Sequence, residues 1–286
     1  MLADDIVAID IHTHPQTEDF LRRLGPRAEQ MARYMGSALR PVSFEEQADA
    51  YRQRKMMAVI LNSTQESQDG VPQVPNDVMA DAQRRHPDVF IGFGIVDPWM
   101  GQKAVDEVKR CHEVLGLRGI GELNPGRQLF HPHDTRFYPL WEECAKRDLI
   151  VLFHTGLLAG GAGTRGGMGF KLEYARPIPD LDAIAADFPD LTIIGAHPAW
   201  PWHQEALAVC RHKANYYMDL SGWAPKYFPP EVVHSANSLL QDRILFGTDW
   251  PALTVERYLR EFDQLALKPE VRQKILLDNS RKLLRL

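Results

Sequence analysis

Residues 149–156 read LIVLFHTG. The apolar run from Leu149 to Phe153 offers no polar face to water. A strand made of it must be covered on both sides, as strands are in a parallel sheet flanked by helices. The run then ends in His154, Thr155 and Gly156. Seven more β-rich runs lie on either side of it: 7–14 (VAIDIHTH), 57–63 (MAVILNS), 90–97 (FIGFGIVD), 117–124 (LRGIGELN), 191–198 (LTIIGAHP), 215–222 (NYYMDLSG) and 243–250 (RILFGTDW). Helical patterns separate them. Over 102–115, Val105, Val108, Cys111, His112 and Leu115 recur at three- and four-residue steps. Asp134 is a candidate N-cap for a helix that sets Phe137, Leu140, Trp141, Cys144 and Ala145 on one face. Segments 178–188, 202–212, 257–267 and 269–286 also read as helices. Strands alternating with helices predict parallel βαβ units. Eight of them predict an α/β chain folded as a closed (β/α)8 TIM barrel. No composition break or linker interrupts the pattern, so residues 1–286 are expected to form a single domain.

Composition narrows the function. With 33 Lys and Arg against 38 Asp and Glu, the 286-residue chain carries a net charge of −5. It shows no basic stripe of the kind that binds nucleic acid. The N-terminal stretch MLADDIVAID is acidic where a signal peptide is basic. No apolar run reaches the roughly 18 residues of a membrane helix. The 3 cysteines (Cys111, Cys144, Cys210) are odd in number and far apart, which fits a reducing cytoplasm rather than a disulfide framework. The expected partner is a small molecule, not a membrane or nucleic acid, and a homo-oligomer is allowed.

Of the 11 histidines, four fall at the carboxyl ends of expected strands: His12 and His14 on the first, His154 on the fifth, His197 on the sixth. The eighth strand ends in Asp249. Residues i and i+2 of a strand share a face, so His12 and His14 both reach the barrel mouth. Closure of strand eight onto strand one would bring Asp249 and His154 to the same point. Imidazole nitrogen and carboxylate oxygen suit Zn²⁺, and also Mn²⁺, Fe²⁺ or Co²⁺. Asp10 lies on the His12 face, one layer deeper. Glu122, at the end of the fourth strand, reads either as a ligand or substrate contact or as a surface partner of Arg118 or Arg127. The pair His131-Pro-His133 sits in a turn and reads as structural. The GxGxxG pattern at 161–166 opens no helix and does not read as nucleotide-binding.

The runs Asp10-Ile-His12-Thr-His14-Pro15, His154-Thr-Gly, Gly195-Ala-His197-Pro and Phe246-Gly-Thr-Asp249-Trp-Pro251 resemble the amidohydrolase superfamily. They resemble most its amidohydrolase-related branch, which includes aminocarboxymuconate-semialdehyde decarboxylase. The resemblance implies that His12, His14, His154 and Asp249 ligate one divalent metal, taken here as zinc, with Asp249 also moving a proton. His197 would orient the water or polarise the reacting carbonyl. Glu122 stands where some two-metal relatives carry a bridging ligand, which leaves a second metal open.

Two connections are long. Residues 15–55 follow strand one, and residues 155–177 follow strand five and hold 7 of the 20 glycines. The second carries Arg165, Lys171 and Arg176, expected to close over an anionic substrate. Trp99, Trp200, Trp202, Trp223 and Trp250 follow strand ends, and Trp99, Trp200, Trp223 and Trp250 are expected to form a rim for an aromatic substrate. The first functional expectation is a metal-dependent hydrolase. Activated water would attack a lactone, an ester or a β-keto carbonyl. The run Asp219-Leu-Ser-Gly-Trp223-Ala-Pro-Lys-Tyr-Phe-Pro resembles relatives that cleave β-ketoacyl-CoA in aromatic catabolism. The alternative is a non-oxidative decarboxylase of an aromatic or muconate-type acid using the same metal site. A third reading, from another class, is a metal-free ligand-binding barrel.

Overall fold

The structure, a computed structural model, describes residues 6–36 and 39–286, so the start of the acidic N-terminal stretch lies outside the described residues. The expected runs form β1 (Ala8–Thr13), β2 (Met56–Ile60), β3 (Phe90–Gly94), β4 (Gly119–Leu123), β5 (Ile150–His154), β6 (Ile193–Ala196), β7 (Tyr216–Asp219) and β8 (Ile244–Leu245). They pair in chain order, and every pairing is parallel. Past its short last strand the chain still reaches β1. Ile11 N donates to Phe246 O at 2.9 Å, His14 N to Trp250 O at 2.7 Å, and Asp249 N to His12 O at 2.9 Å. These bonds close the barrel and place Asp249 beside the two β1 histidines.

Alternation along β5 divides the interior. Val151 and Phe153 pack outward into the layer between barrel and helices, while Ile150 and Leu152 point into the lumen. His154 continues the lumen-facing series at its carboxyl end. Ile9, Ile11, Val59, Phe93 and Ile194 fill the same lumen, and Leu277 and Leu284 from the C-terminal segment pack against them. The expected helix 269–286 is interrupted: Pro269–Gln273 and Asn279–Leu284 flank a π-helical turn at Lys274–Asp278. Phe246 N donates to Ile275 O at 3.0 Å within that turn. This is why β8 is shorter than its sequence run: part of its hydrogen bonding goes to a helix.

The other helices match within a few residues. Gln102–Glu113 buries Val105, Val108 and Cys111 of its expected stripe but leaves His112 exposed; Tyr138–Lys146 buries Leu140, Trp141 and Cys144, and Asp134 caps a short 3₁₀ turn, Thr135–Phe137, ahead of it. The connection after β1 holds helices Glu18–Leu24 and Pro26–Met35, followed by Phe44–Arg52. The connection after β5 holds only short turns, Arg165–Gly169 and Leu172–Ala175. Both overhang the carboxyl ends of the strands, the face where barrels of this kind carry their sites.

Candidate metal centre and substrate pocket

At that face the strand ends bring together His12, His14, Glu122, His154, His197, Asp219 and Asp249. His12 is held from behind: its Nδ1 lies 3.0 Å from Asp219 Oδ2. Asp219 Oδ1 in turn accepts from the backbone N–H groups of His197 at 3.0 Å and Ser221 at 2.9 Å, and from the Ser221 hydroxyl. Burial alone would raise the Asp219 pKa, but His12, His197 and Ser221 hold it down at about 2. An ionised Asp219 takes the Nδ1–H of His12 and leaves the Nε2 lone pair facing the mouth.

That nitrogen lies 3.2 Å from His14 Nε2 and 3.6 Å from Asp249 Oδ1. His14 Nε2 lies 3.4 Å from Asp249 Oδ1 and 3.6 Å from Glu122 Oε2. Ligands of a tetrahedral ion with bonds of about 2.1 Å stand about 3.4 Å apart. The spacings therefore fit a divalent cation, and the donor set is nitrogen and oxygen. The electrostatics agree. Burial opposes a charge on His12, yet Asp219, Asp249 and Glu122 together push its pKa up to about 10. The position calls for positive charge, which a proton or a metal cation supplies.

Glu122 joins a second group. Its Oε1 lies 2.7 Å from His154 Nδ1 and 3.5 Å from His197 Nε2, and the two rings meet at 3.1 Å. Only 5% exposed, it is no surface residue. Arg127 approaches it at 3.7 Å, while Arg118 donates instead to Leu284 O. Burial works against its charge, but His154, His197 and His12 hold the carboxyl well below the usual carboxylate range. His154 reaches His12 and His14 through this shared carboxylate. Its own Nε2 is buried without a hydrogen-bond partner, as is Nδ1 of His14. His197 and Asp249 adopt left-handed backbone angles, φ +68° and +61°. Such strain in residues other than glycine is concentrated at functional positions.

Asp10 departs from expectation. The β1–β2 register shifts between Asp10 and Thr13, so the period-two rule does not carry Asp10 onto the His12 face. It accepts instead from Tyr51 Oη at 2.7 Å and from Thr248 N and Oγ1 at 2.9 and 2.6 Å, which ties β1 to the outer layer and to the β8 end. Buried away from water, its pKa rises to about 6 despite these donors. His131 and His133 clasp the buried Asp180 at 3.1 and 2.6 Å, a further group able to hold a cation, away from the mouth.

The pocket above the centre has a volume of roughly 850 Å³ including its open mouth, and its walls are Phe20, Leu21, Leu24, Leu39, Leu158 and Pro251. The expected tryptophan rim does not line it. Trp99 donates its indole N–H to Gln128 O and packs on Phe137. Trp200 pairs with Trp223 at 5.8 Å, and Trp250 faces a separate cleft beside Thr254. The loop cations do not line it either. Arg165 and Lys171 are exposed, and Arg176 is paired with Glu205 over the Trp202 ring. The reason is local: the β5 loop presents its apolar part, Leu158–Gly160, to the pocket, and its cations stay in water. Among the described residues, Arg127 is the one Arg or Lys in the wall. Asp219 was legible by the rule that singles out Glu122, an acid at the carboxyl end of a barrel strand. Arg127, four residues beyond β4 in the short helix Pro125–Gln128, carried no such signal.

The sequence model of the amidohydrolase family matches residues 9–286, and the chain belongs to that family, in its amidohydrolase-related branch. Gamma-resorcylate decarboxylase of Rhizobium sp. (strain MTP-10005) is 23% identical over 247 residues, 74% of this chain and 75% of the relative. A TIM-barrel protein from Bordetella bronchiseptica superposes with a TM-score of 0.76 at 26% identity, over 97% of this chain and 98% of the other. A dihydroxybenzoic acid decarboxylase from Polaromonas sp. JS666, solved with manganese and the inhibitor 2-nitroresorcinol, superposes with a TM-score of 0.66 at 19% identity, over 98% of this chain and 97% of the other. No helix among the described residues is long and apolar enough to cross a membrane.

Proposed function

We propose that this protein is a metal-dependent decarboxylase of a small aromatic or muconate-type acid. The observation that carries the reading is a cation-demanding cluster of His12, His14, Asp249 and Glu122 on the floor of an apolar pocket. A bound divalent metal would supply a positive charge for the substrate's carboxylate and the adjoining oxygen. His12, His14 and Asp249 would hold it, with Glu122 as a fourth ligand and His154 completing the set through Glu122. Nitrogen and oxygen donors admit manganese as readily as zinc, and the manganese of the Polaromonas protein moves the expectation toward manganese.

The chain's own residues would do the rest. The apolar walls keep water from the carboxylate, which favours loss of neutral CO₂ over retention of a localised charge. Asp249 would deliver a proton to the carbon whose bond to the carboxyl group breaks, so that one proton is consumed and one CO₂ leaves. His197 is set beside Glu122 by its strained backbone. Burial lowers its pKa, but Glu122 and Asp249 raise it above the ordinary value, so it can donate to the oxygen next to that carbon. The hydrolytic reading remains the competitor, and the named decarboxylase relatives support it less well. Three free, buried thiols support a cytoplasmic setting. The test is incubation of manganese- or zinc-loaded protein with 2,6-dihydroxybenzoate and related acids in H₂¹⁸O. Headspace CO₂ without ¹⁸O in the organic product is expected. Incorporation of ¹⁸O into a cleaved ester, lactone or β-keto acid, without CO₂ from any acid, would establish hydrolysis instead.

A further inference from the structure

Arg127 is 12% exposed, and its Nε is buried with no hydrogen-bond partner. A guanidinium stays charged and brings five donors, and leaving them unmet out of water is costly. Glu122 does not meet the need. It lies 3.7 Å away, beyond hydrogen-bond distance, and its oxygens already face His14, His154 and His197. A second buried cation stands nearby. Arg27, also 12% exposed, meets Asp69 Oδ2 at 3.3 Å and Leu24 O at 3.3 Å. It lines a neighbouring cleft that shares Phe20, Leu24 and Ser63 with the main pocket. Burial and the charge of Arg127 lower its pKa to about 10. Asp69 answers Arg27, so the donor left unmet beside the apolar pocket is that of Arg127.

We propose that Arg127, with Arg27 behind it, forms an anion subsite that holds a second acidic group of the substrate, a carboxylate or a phosphoryl group, while the first sits at the metal centre. The inference rests on the small-acid reading above and names its substrate class: a diacid whose second anion survives the reaction. Such a remote anchor supplies binding energy that can be spent on orienting the reacting carboxyl group, and a planar guanidinium can take an oxyanion through two parallel bonds.

The experiment is calorimetric titration of manganese-loaded protein with benzoate, isophthalate and 3-phosphonobenzoate. Wild type is expected to bind at least one of the two diacids about tenfold or more tighter than benzoate, and whichever diacid is preferred identifies the second group. Arg127→Met is expected to bring that diacid to the benzoate affinity, while benzoate binding and manganese content stay within about twofold of wild type. Arg127→Lys keeps the charge and loses the fork. Its preference is expected to fall between the two, so the proposal is still tested where the Met variant does not fold. Equal affinities for all three probes in wild type, or an equal loss for all three in Arg127→Met, would overturn the subsite alone. Failure of every probe to bind would overturn the small-acid reading and the subsite with it.

Discussion

Gly222 shows how closely the site is built at the scale of one residue. It follows β7 with φ +73°, and a Cβ there would stand 2.7 Å from His197 Nδ1 and 3.3 Å from Asp249 Oδ2. An alanine must either strain the backbone or push His197 aside. Gly222→Ala is therefore expected to keep its metal and lose about 100-fold in turnover, measured by metal analysis beside the CO₂ assay. His154→Ala and His197→Ala separate two roles. The first removes the partner of Glu122 and is expected to lose metal and activity together. The second is expected to keep metal and lose turnover. An empty site in His197→Ala would show that His197 is a ligand.

At the scale of elements, the strands were legible because each is a short apolar run ending in a polar or glycine signal. Their side-chain directions were less so. Asp10 was expected to share the His12 face, and the register shift in β1 turned it toward Tyr51. The C-terminal helix reads as continuous over 269–286, because local periodicity carries no information about the Ile275 carbonyl that Phe246 takes. Packing between adjacent strands sets a further limit. A Cβ at Gly195 on β6 would collide with the hydroxyl of the fully buried Tyr216 on β7. Gly195→Ala is expected to destabilise the barrel by about 1–3 kcal/mol, seen as a thermal midpoint several degrees lower. An unchanged midpoint would mean that Tyr216 moves freely.

For the whole molecule, the thiols report on integrity. Cys111, Cys144 and Cys210 are free and buried, and burial pushes Cys111 and Cys210 up to about 12 and Cys144 higher still. The thiolate is the reactive form. Reaction of all three with a disulfide reagent at pH 8 is expected only on global unfolding, hours or longer in the native protein and seconds in denaturant. Rapid labelling of one thiol in the native state would reveal local opening. The net charge of −5 also has a consequence at this scale. The molecule as a whole does not draw in anions, so attraction for an acid must come from the metal centre and from Arg127 and Arg27.

The sequence by itself determined the barrel and the histidines and aspartate at its mouth, because both are written in local patterns: apolar runs of strand length, and ligand residues at one end of them. Tertiary structure decided the rest. It placed Glu122 between two imidazole groups, set Asp219 behind His12, turned the tryptophans and loop cations away, and left Arg127 in the wall. Each of these depends on which distant segments share a dry space, and burial, which fixes charge and hydrogen-bond need, is a property of the folded neighbourhood and not of the chain.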